Sequence, residues 1–237
     1  MAMTKPSTLF LIAVAGAFAL LQGCKTCDSC CDDGAWTALF DGKSTDTLRG
    51  YKSDKFPEGW EVEGNVLHVL PGKHGGDLMT KEQFDDFELS YEWKVSPGGN
   101  SGVIYKVIET KGAAWHTGYE MQVLDDSAHG DGKNPKTSAG SLYALIAPNA
   151  NKKLKPVGEW NEAKIIVKGA HGEHWINGRK VVEYEQGSPQ LAALIAESKF
   201  AKIKDPEVPF GSVKKGHIIF QAHGQEVWYR NIRIRAL

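Results

Sequence analysis

Residues 87–95, Phe-Glu-Leu-Ser-Tyr-Glu-Trp-Lys-Val, carry an apolar or aromatic side chain at every odd position and a polar one at every even position. Successive Cβ atoms of an extended chain point to opposite faces, so this period of two predicts a half-buried strand. Residues 118–125, Gly-Tyr-Glu-Met-Gln-Val-Leu-Asp, repeat the pattern: Tyr119, Met121 and Val123 share one face, Glu120 and Gln122 the other, in a segment rich in strand formers. A Gly-Gly-Asn-Ser-Gly corner at 98–102 leads into a further strand over 103–108. Glu88, Ser90, Glu92, Lys106, Glu120 and Gln122 are expected to face one way from neighbouring strands and to floor a polar groove. The plainer alternative is a solvated outer face, which antiparallel sheets commonly keep.

The same reading extends along the chain. Residues 36–42 predict a short strand closed by an Asp-Gly turn, and 59–70 a hairpin turning at Gly64-Asn65. Leu78-Met79 is a short strand. Residues 125–139, with Asp125, Asp126, His129, Asp131 and an Asn134-Pro135 pair, have loop composition. A strand is expected again over 140–145. Residues 160–168 and 174–184 predict a hairpin through Asn177-Gly178, and 217–224 and 227–235 two closing strands. One segment departs from this period: Ser188-Pro189 followed by Leu191, Leu194 and Ile195 predicts a helix over 189–199, capped by Ser188. Many short strands with regular turn signals and one short helix indicate an all-β sandwich or jelly roll. The absence of a 20–50-residue repeat counts against a propeller or solenoid.

Composition narrows the function. A formal net charge of −1 with interspersed cations and anions gives no basic face for nucleic acid. Seven Trp and seven Tyr supply flat amphipathic rings suited to sugars. An apolar run over 9–21 is short for a membrane span and ends in Leu21-Gln22-Gly23-Cys24, a secretory pattern that resembles a bacterial lipobox. It predicts a signal peptide over 1–23, lipidation of Cys24, a Cys-rich tether over 24–34 and a folded domain over 35–237. The chain is then an exported, periplasmic or cell-surface lipoprotein. All four cysteines lie between 24 and 31, so no disulfide staples the folded part.

Seven motifs in order carry a resemblance: Trp-x-x-Leu-Phe-Asp-Gly-Lys-Ser (36–44), Phe-Glu-Leu-x-x-Glu-Trp-Lys (87–94), Pro-Gly-Gly-Asn-Ser-Gly (97–102), Gly-Tyr-Glu-x-Gln-Val-Leu-Asp (118–125), Gly-Glu-Trp-Asn (158–161), Glu-His-Trp-Ile-Asn-Gly (173–178) and Trp-Tyr-Arg-Asn-Ile-Arg-Ile (228–234). Together they resemble the 3-keto-disaccharide hydrolase domain family. The resemblance implies a concanavalin-like jelly roll of two antiparallel sheets with one short helix, exported by bacteria and acting on sugars oxidised at C3. It also implies an upstream sugar 3-oxidising enzyme as a functional partner. The pattern leads one to expect an acidic residue just before His223, where this chain has Gln221-Ala222.

Conventional glycosidase chemistry needs two carboxylates across the bond. The Glu-x-Asp-x-Glu pattern of jelly-roll glucanases, Gly-x-Ser-x-Gly, His-Glu-x-x-His and a phosphate loop are all absent. A 3-keto sugar asks for something else. Its ketone acidifies the C2 proton, so the site needs a base, a donor for the enolate oxygen and an acid for the leaving group. The candidates are Glu120 and His223, with Glu92 and Lys106 to orient them or donate; an ordinary cross-strand ion pair is the alternative for the latter two. Asn100, Gln122, Asp125, Tyr143, Trp160 and Gln221 are candidate sugar contacts, with turn chemistry the alternative for Asn100. No cofactor is predicted and no metal ligand is assigned, although Asp125, Asp126 and Asp131 have the loop setting of a Ca²⁺ site. The competing function is a non-catalytic carbohydrate-binding module.

Overall fold

The computed structural model describes residues 1–3, 34–72, 75–203 and 208–237. Every element below lies in the compact unit Asp32–Leu237; of the unit Met1–Cys31 only the first three residues, exposed and without regular structure, are described. The expected signal segment and Cys24 therefore fall outside the described residues.

The strands run in order as β1 (Thr37–Ala38), β2 (Leu48–Gly50), β3 (Trp60–Glu63), β4 (Val66–Val69), β5 (Leu78–Thr80), β6 (Phe87–Val95), β7 (Asn100–Val107), β8 (Tyr119–Leu124), β9 (Asn161–Lys168), β10 (His171–Ile176), β11 (Arg179–Glu185), β12 (His217–Phe220) and β13 (Val227–Ala236), with helix α1 (Pro189–Glu197) between β11 and β12. They form two antiparallel sheets. The larger has the order β11-β10-β9-β6-β13-β4-β3, with β1 added on β13, and the smaller has the order β2-β5-β12-β7-β8. The core is the layer between them. Phe87, Leu89, Tyr91 and Trp93 of β6 meet Val103 and Tyr105 of β7, Tyr119 and Met121 of β8, and Phe220 of β12. Tyr91 spans the sandwich, its hydroxyl 3.4 Å from the Met121 sulfur. Each large side chain buried here contributes on the order of 2–3 kcal/mol.

Local sequence explains most connections. Asn177 and Gly178 both have positive φ (47° and 74°), which the two-residue turn joining β10 to β11 requires. Ser188 caps α1 by accepting the Leu191 N–H at 3.2 Å, with Pro189 in the first turn.

Three expectations are corrected. Residues 140–145 form turns with isolated bridges from Leu142 to Met121 and Ile146, so no strand forms there. The Asn177-Gly178 hairpin joins β10 to β11, and a separate turn at 169–170 joins β9 to β10. The largest correction concerns the groove. β6 belongs to the eight-stranded sheet, whereas β7 and β8 belong to the five-stranded one. Glu88, Ser90 and Glu92 thus lie on the opposite side of the core from Glu120 and Gln122, and the expected single polar floor is two separate faces.

Candidate active site

The outer face of the five-stranded sheet carries the site. Alternation in β8 turns Glu120 and Gln122 away from the core while Tyr119, Met121 and Val123 enter it. Next to them β7 presents Asn100, Gly102 and Ile104, and β12 presents Ile219 followed by Gln221. This face is divided. Ile104, Ile219, Met79 and Ala114 form an apolar cluster flanked by Trp115, and Ile104 is the register partner of Glu120. The Glu120 carboxyl therefore sits where the apolar part of the face meets the polar part, and it is buried.

That placement sets its acidity. Burial pushes the Glu120 pKa up to about 8; the negative charges of Asp77 and Asp131 push the same way, and the Lys199 cation opposes them. At neutral pH the carboxyl is therefore held mainly in its protonated form. Room for the carboxyl comes from Gly102, where a Cβ would lie 2.1 Å from Glu120 Oε1 and 2.8 Å from Gln221 Oε1. A glycine is required there by the approach of two side chains, not by backbone conformation.

The neighbours are polar and linked. Gln122 Nε2 donates to Asn100 Oδ1 at 3.3 Å; turned over, its amide would donate instead to Glu120 Oε1 at 3.1 Å and to the Ser101 carbonyl at 2.9 Å. Asn100 Nδ2 lies 3.5 Å from His129 Nε2, and the Asp131 N–H donates to His129 Nδ1 at 3.1 Å. His223 Nε2 is 3.2 Å from Gln221 Oε1. The Tyr143 backbone N–H donates to the Glu120 carbonyl at 3.0 Å, and its hydroxyl donates to Asp131 Oδ2 at 3.3 Å. Desolvation, reinforced by the Asp131 and Glu120 charges, raises the Tyr143 pKa. Lys199, in the short turn Lys199–Lys202 after α1, hangs its ammonium 4.5 Å from the Tyr143 ring centre and 4.4 Å from that of Trp115. The residue is exposed as a whole, yet partial desolvation beside the rings lowers its pKa, against the pull of Glu120 and Asp131.

Of the residues singled out from sequence, Glu120, Gln122, Asn100, Gln221, His223 and Tyr143 converge here. Four do not. Glu92 lies across the molecule, held by Arg230 Nε and Nη2 at 2.8 and 2.7 Å and by Asn231 Nδ2 at 2.5 Å. Trp160 is on that same far face, under the Arg230 guanidinium at 4.1 Å. Lys106 sits at a β-bulge with φ of 57° and extends to Asp85 at 3.5 Å. Asp125 builds a turn: burial would raise its pKa, but hydrogen bonds from Ser127, Gly98 and Ala128 carry it below the usual carboxylate range. Asp126 is engaged by Lys152 at 2.8 Å and Asp131 by Tyr143, so the three loop aspartates serve different partners.

Sequence reasoning missed Asp77, Lys199 and Gly102. Asp77 precedes β5 and accepts the Ala222 N–H at 3.1 Å; burial raises its pKa. It places an acidic group beside the Gln221-Ala222-His223 segment, where the motif had led one to expect an acid in that strand itself. The only local signal was an Asp between a Gly pair and a strand start. Two groups of carboxylates with a histidine, Glu61-Glu63-His68 and His171-Glu173-Glu183, have ligand atoms within 4.8 Å of one another on the eight-stranded sheet, remote from Glu120.

Comparison with known proteins identifies the family and the fold. Residues 35–235 match the family described as the 3-keto-alpha-glucoside-1,2-lyase-like domain. A Bacteroides thetaiotaomicron protein named 3-keto-disaccharide hydrolase is 35% identical over 233 residues, covering 87% of this chain and 80% of that one. A crystal structure of a candidate glycosyl hydrolase from Parabacteroides distasonis superposes with a TM-score of 0.77 at 30% identity, over 86% of this chain and 94% of that one. A non-specific endo-β-1,3(4)-glucanase, 9% identical with a TM-score of 0.52 over 85% of this chain and 95% of its own, shares the fold alone.

Proposed function

We propose, from the premise that the chain belongs to the 3-keto-alpha-glucoside-1,2-lyase-like family, that it cleaves the glycosidic bond of 3-keto-glycosides on the outer face of its five-stranded sheet. The observation that carries this reading is Glu120, a buried carboxyl with a pKa pushed to about 8 beside a desolvated lysine. A carboxylate of that pKa is a stronger base than a solvated one, as proton abstraction next to a ketone demands.

In the mechanism this supports, ionised Glu120 removes the C2 proton. The electron pair moves to form the C2=C3 enolate, whose negative oxygen is stabilised by the Lys199 ammonium. The enolate collapses to the C3 ketone as a C1=C2 double bond forms and the C1–O bond breaks. The leaving oxygen takes up a proton, from Glu120 now in its acid form or from His223, and departs as an alcohol. Addition of water across C1=C2 gives the free 3-keto sugar, so elimination and hydration together amount to hydrolysis. Asn100, Gln122 and Gln221 supply the few directed polar groups a sugar site needs, with Tyr143 and Trp115 as flat surfaces.

The test is product formation from a 3-keto-glucoside and from its unoxidised parent, with the wild type and Glu120→Gln. Cleavage of the keto compound alone, lost in the variant, is expected. Binding of both sugars without cleavage would favour a carbohydrate-binding module instead.

The apolar run and Leu-Gln-Gly-Cys at 21–24 support export with lipid on Cys24. In a bacterial host fed labelled palmitate, the chain is expected to take up label, and Cys24→Ala to abolish it.

A further inference from the structure

A cavity of about 700 Å³ lies on the far side of the molecule from Glu120, on the outer face of the eight-stranded sheet. Its floor is a single cross-strand row. Trp175 of β10 is the register partner of Lys164 in β9, Lys164 of Ser90 in β6, Ser90 of Arg233 in β13, and Arg233 of Ala38 in β1. Four adjacent strands at about 4.8 Å spacing put Trp175 and Arg233 some 14 Å apart, the length of a short oligosaccharide. Trp36, two residues before Ala38, closes the end of the row with its ring 4.6 Å from the Arg233 guanidinium.

The row exists because of a bulge. Between Arg230 and Arg233 the β13 register shifts, and Asn231 takes φ of 52°. One extra residue resets the alternation, so that Trp228 and Arg230 before it and Arg233 and Arg235 after it all face outward while Tyr229, Ile232 and Ile234 stay in the core. Bulges re-aim side chains in this way beside functional sites.

The donors at the Arg233 end of this row are open, whereas the Trp175 indole N–H donates to Glu173 at 2.6 Å and the Lys164 ammonium lies 5.5 Å from the Trp175 ring centre. Arg233 is exposed, and among the described residues it has the Trp36 ring as its neighbour and no carboxylate. The half-buried Ser90 hydroxyl, set between the two cations, makes no hydrogen bond within the described residues. Lys164 has one carboxylate, Glu88 at 2.7 Å, which it shares with Arg235. The cavity also carries anions: Glu92 in the next row is neutralised by Arg230, while Glu162 and Asp41 are exposed on its lining, so an anionic group belongs on the Lys164–Ser90–Arg233 row and is disfavoured toward Glu162 or Asp41.

We propose that this groove is a second glycan-binding site, distinct from the Glu120 face, that takes an acidic oligosaccharide. Its carboxylate or sulfate rests between Lys164, Ser90 and Arg233, and its sugar rings lie on Trp175 and toward Trp36. Charge-assisted hydrogen bonds from the guanidinium give the acidic group its preference, and the rings supply sequence-tolerant stacking area. The site does not depend on the reaction proposed above.

The experiment is calorimetric titration of the full chain with trigalacturonic acid and with a neutral glucose trisaccharide, using the wild type, Arg233→Gln, Trp175→Ala and Glu120→Gln. The acidic trisaccharide is expected to bind the wild type and Glu120→Gln alike, and Arg233→Gln and Trp175→Ala at least tenfold more weakly. The Arg233→Gln thermal midpoint is expected to stay unchanged, since Arg233 is exposed; Trp175→Ala is expected to lower it, with circular dichroism showing the variant still folded. The neutral trisaccharide is expected to bind the wild type at least tenfold more weakly than the acidic one. Equal affinity for the two sugars, loss in Glu120→Gln but not in Arg233→Gln, or no measurable binding to the wild type would each overturn the proposal.

Discussion

The two outer faces of this sandwich are built from the same alternating pattern and are electrostatic opposites. On the eight-stranded sheet Glu88 is buried, yet its pKa is lowered: burial alone would raise it, but hydrogen bonds and charge from Lys164 and Arg235 outweigh that. On the five-stranded sheet Glu120 is also buried, receives no hydrogen bond from a cation among the described residues, and is raised to about 8. Both have little solvent exposure, but Glu120 is the more deeply desolvated. That depth, together with the absence of a cross-strand cation within hydrogen-bond reach among the described residues, separates a structural ion pair from a group poised for proton transfer.

The contrast breaks most sharply by removing one carboxylate from each face, with Glu92, paired to Arg230, standing for the eight-stranded sheet. Glu120→Gln should lower 3-keto-glucoside cleavage by about 10²- to 10⁴-fold, while Glu92→Gln on the far face should leave the rate within about twofold. Steady-state kinetics on both variants decides it, and comparable losses would undo the distinction between the faces.

Next in size is Gly102→Ala. The added methyl would contact Glu120 and Gln221 through their side-chain ends, so the sheet should form but the carboxyl should move. A displacement of about 1 Å at a reacting group can cost about 10²-fold, so kcat is expected to fall at least tenfold, with the far-ultraviolet circular dichroism unchanged.

The pH profile sharpens the comparison further. If the ionised form of Glu120 is the working one, kcat/KM rises with pH to a limb near 8. Lys199→Met removes a cation that favours ionisation and should move the limb to higher pH. Asp77→Asn removes a negative charge that opposes ionisation and should move it lower. Opposite displacements from two variants would be hard to explain by a general structural effect.

The effect least tied to activity concerns the core between the faces. His174 lies 2.9 Å from the Tyr105 hydroxyl and 3.1 Å from the Gly140 carbonyl, and burial pushes its pKa down to about 4, against the Gly140 and Ser141 backbone hydrogen bonds. The unfolded chain therefore binds a proton that the folded one refuses. The stability this neutral histidine carries is present above pH 6.5 and is lost as pH falls toward 4, by up to about 3 kcal/mol. Urea unfolding midpoints across that range should fall in the wild type and fall less in His174→Gln.

Much of the fold was legible because it is local. Alternation located β6 and β8, Asn177-Gly178 marked a hairpin turn although it joins β10 to β11 rather than the strands expected, and Ser188-Pro189 located α1. β2, three residues long, carries too little pattern to be seen. β7 begins at Asn100, inside a corner whose glycines suggested a loop, because pairing with β8 overrides local preference there. The site was half legible. Glu120 and Gln122 declared themselves as polar residues in an otherwise apolar strand, and Gln221 by sharing parity with His223 in its own segment. Lys199, in a short turn after a helix, and Asp77, in a glycine-rich approach to a strand, had no pattern to distinguish them from solvated charges.

The sequence by itself determined which side of each strand is polar, since a period of two is a property of consecutive residues. Which polar sides share a face was decided only by tertiary structure. Strand pairing brings together residues far apart in the chain, and it set β6 beside β9 and β13 rather than β8. Partners follow from pairing, and pKa follows from partners. Alternation alone could therefore show that Glu92 and Glu120 face outward, but not that one is neutralised by an arginine and the other left to hold its proton.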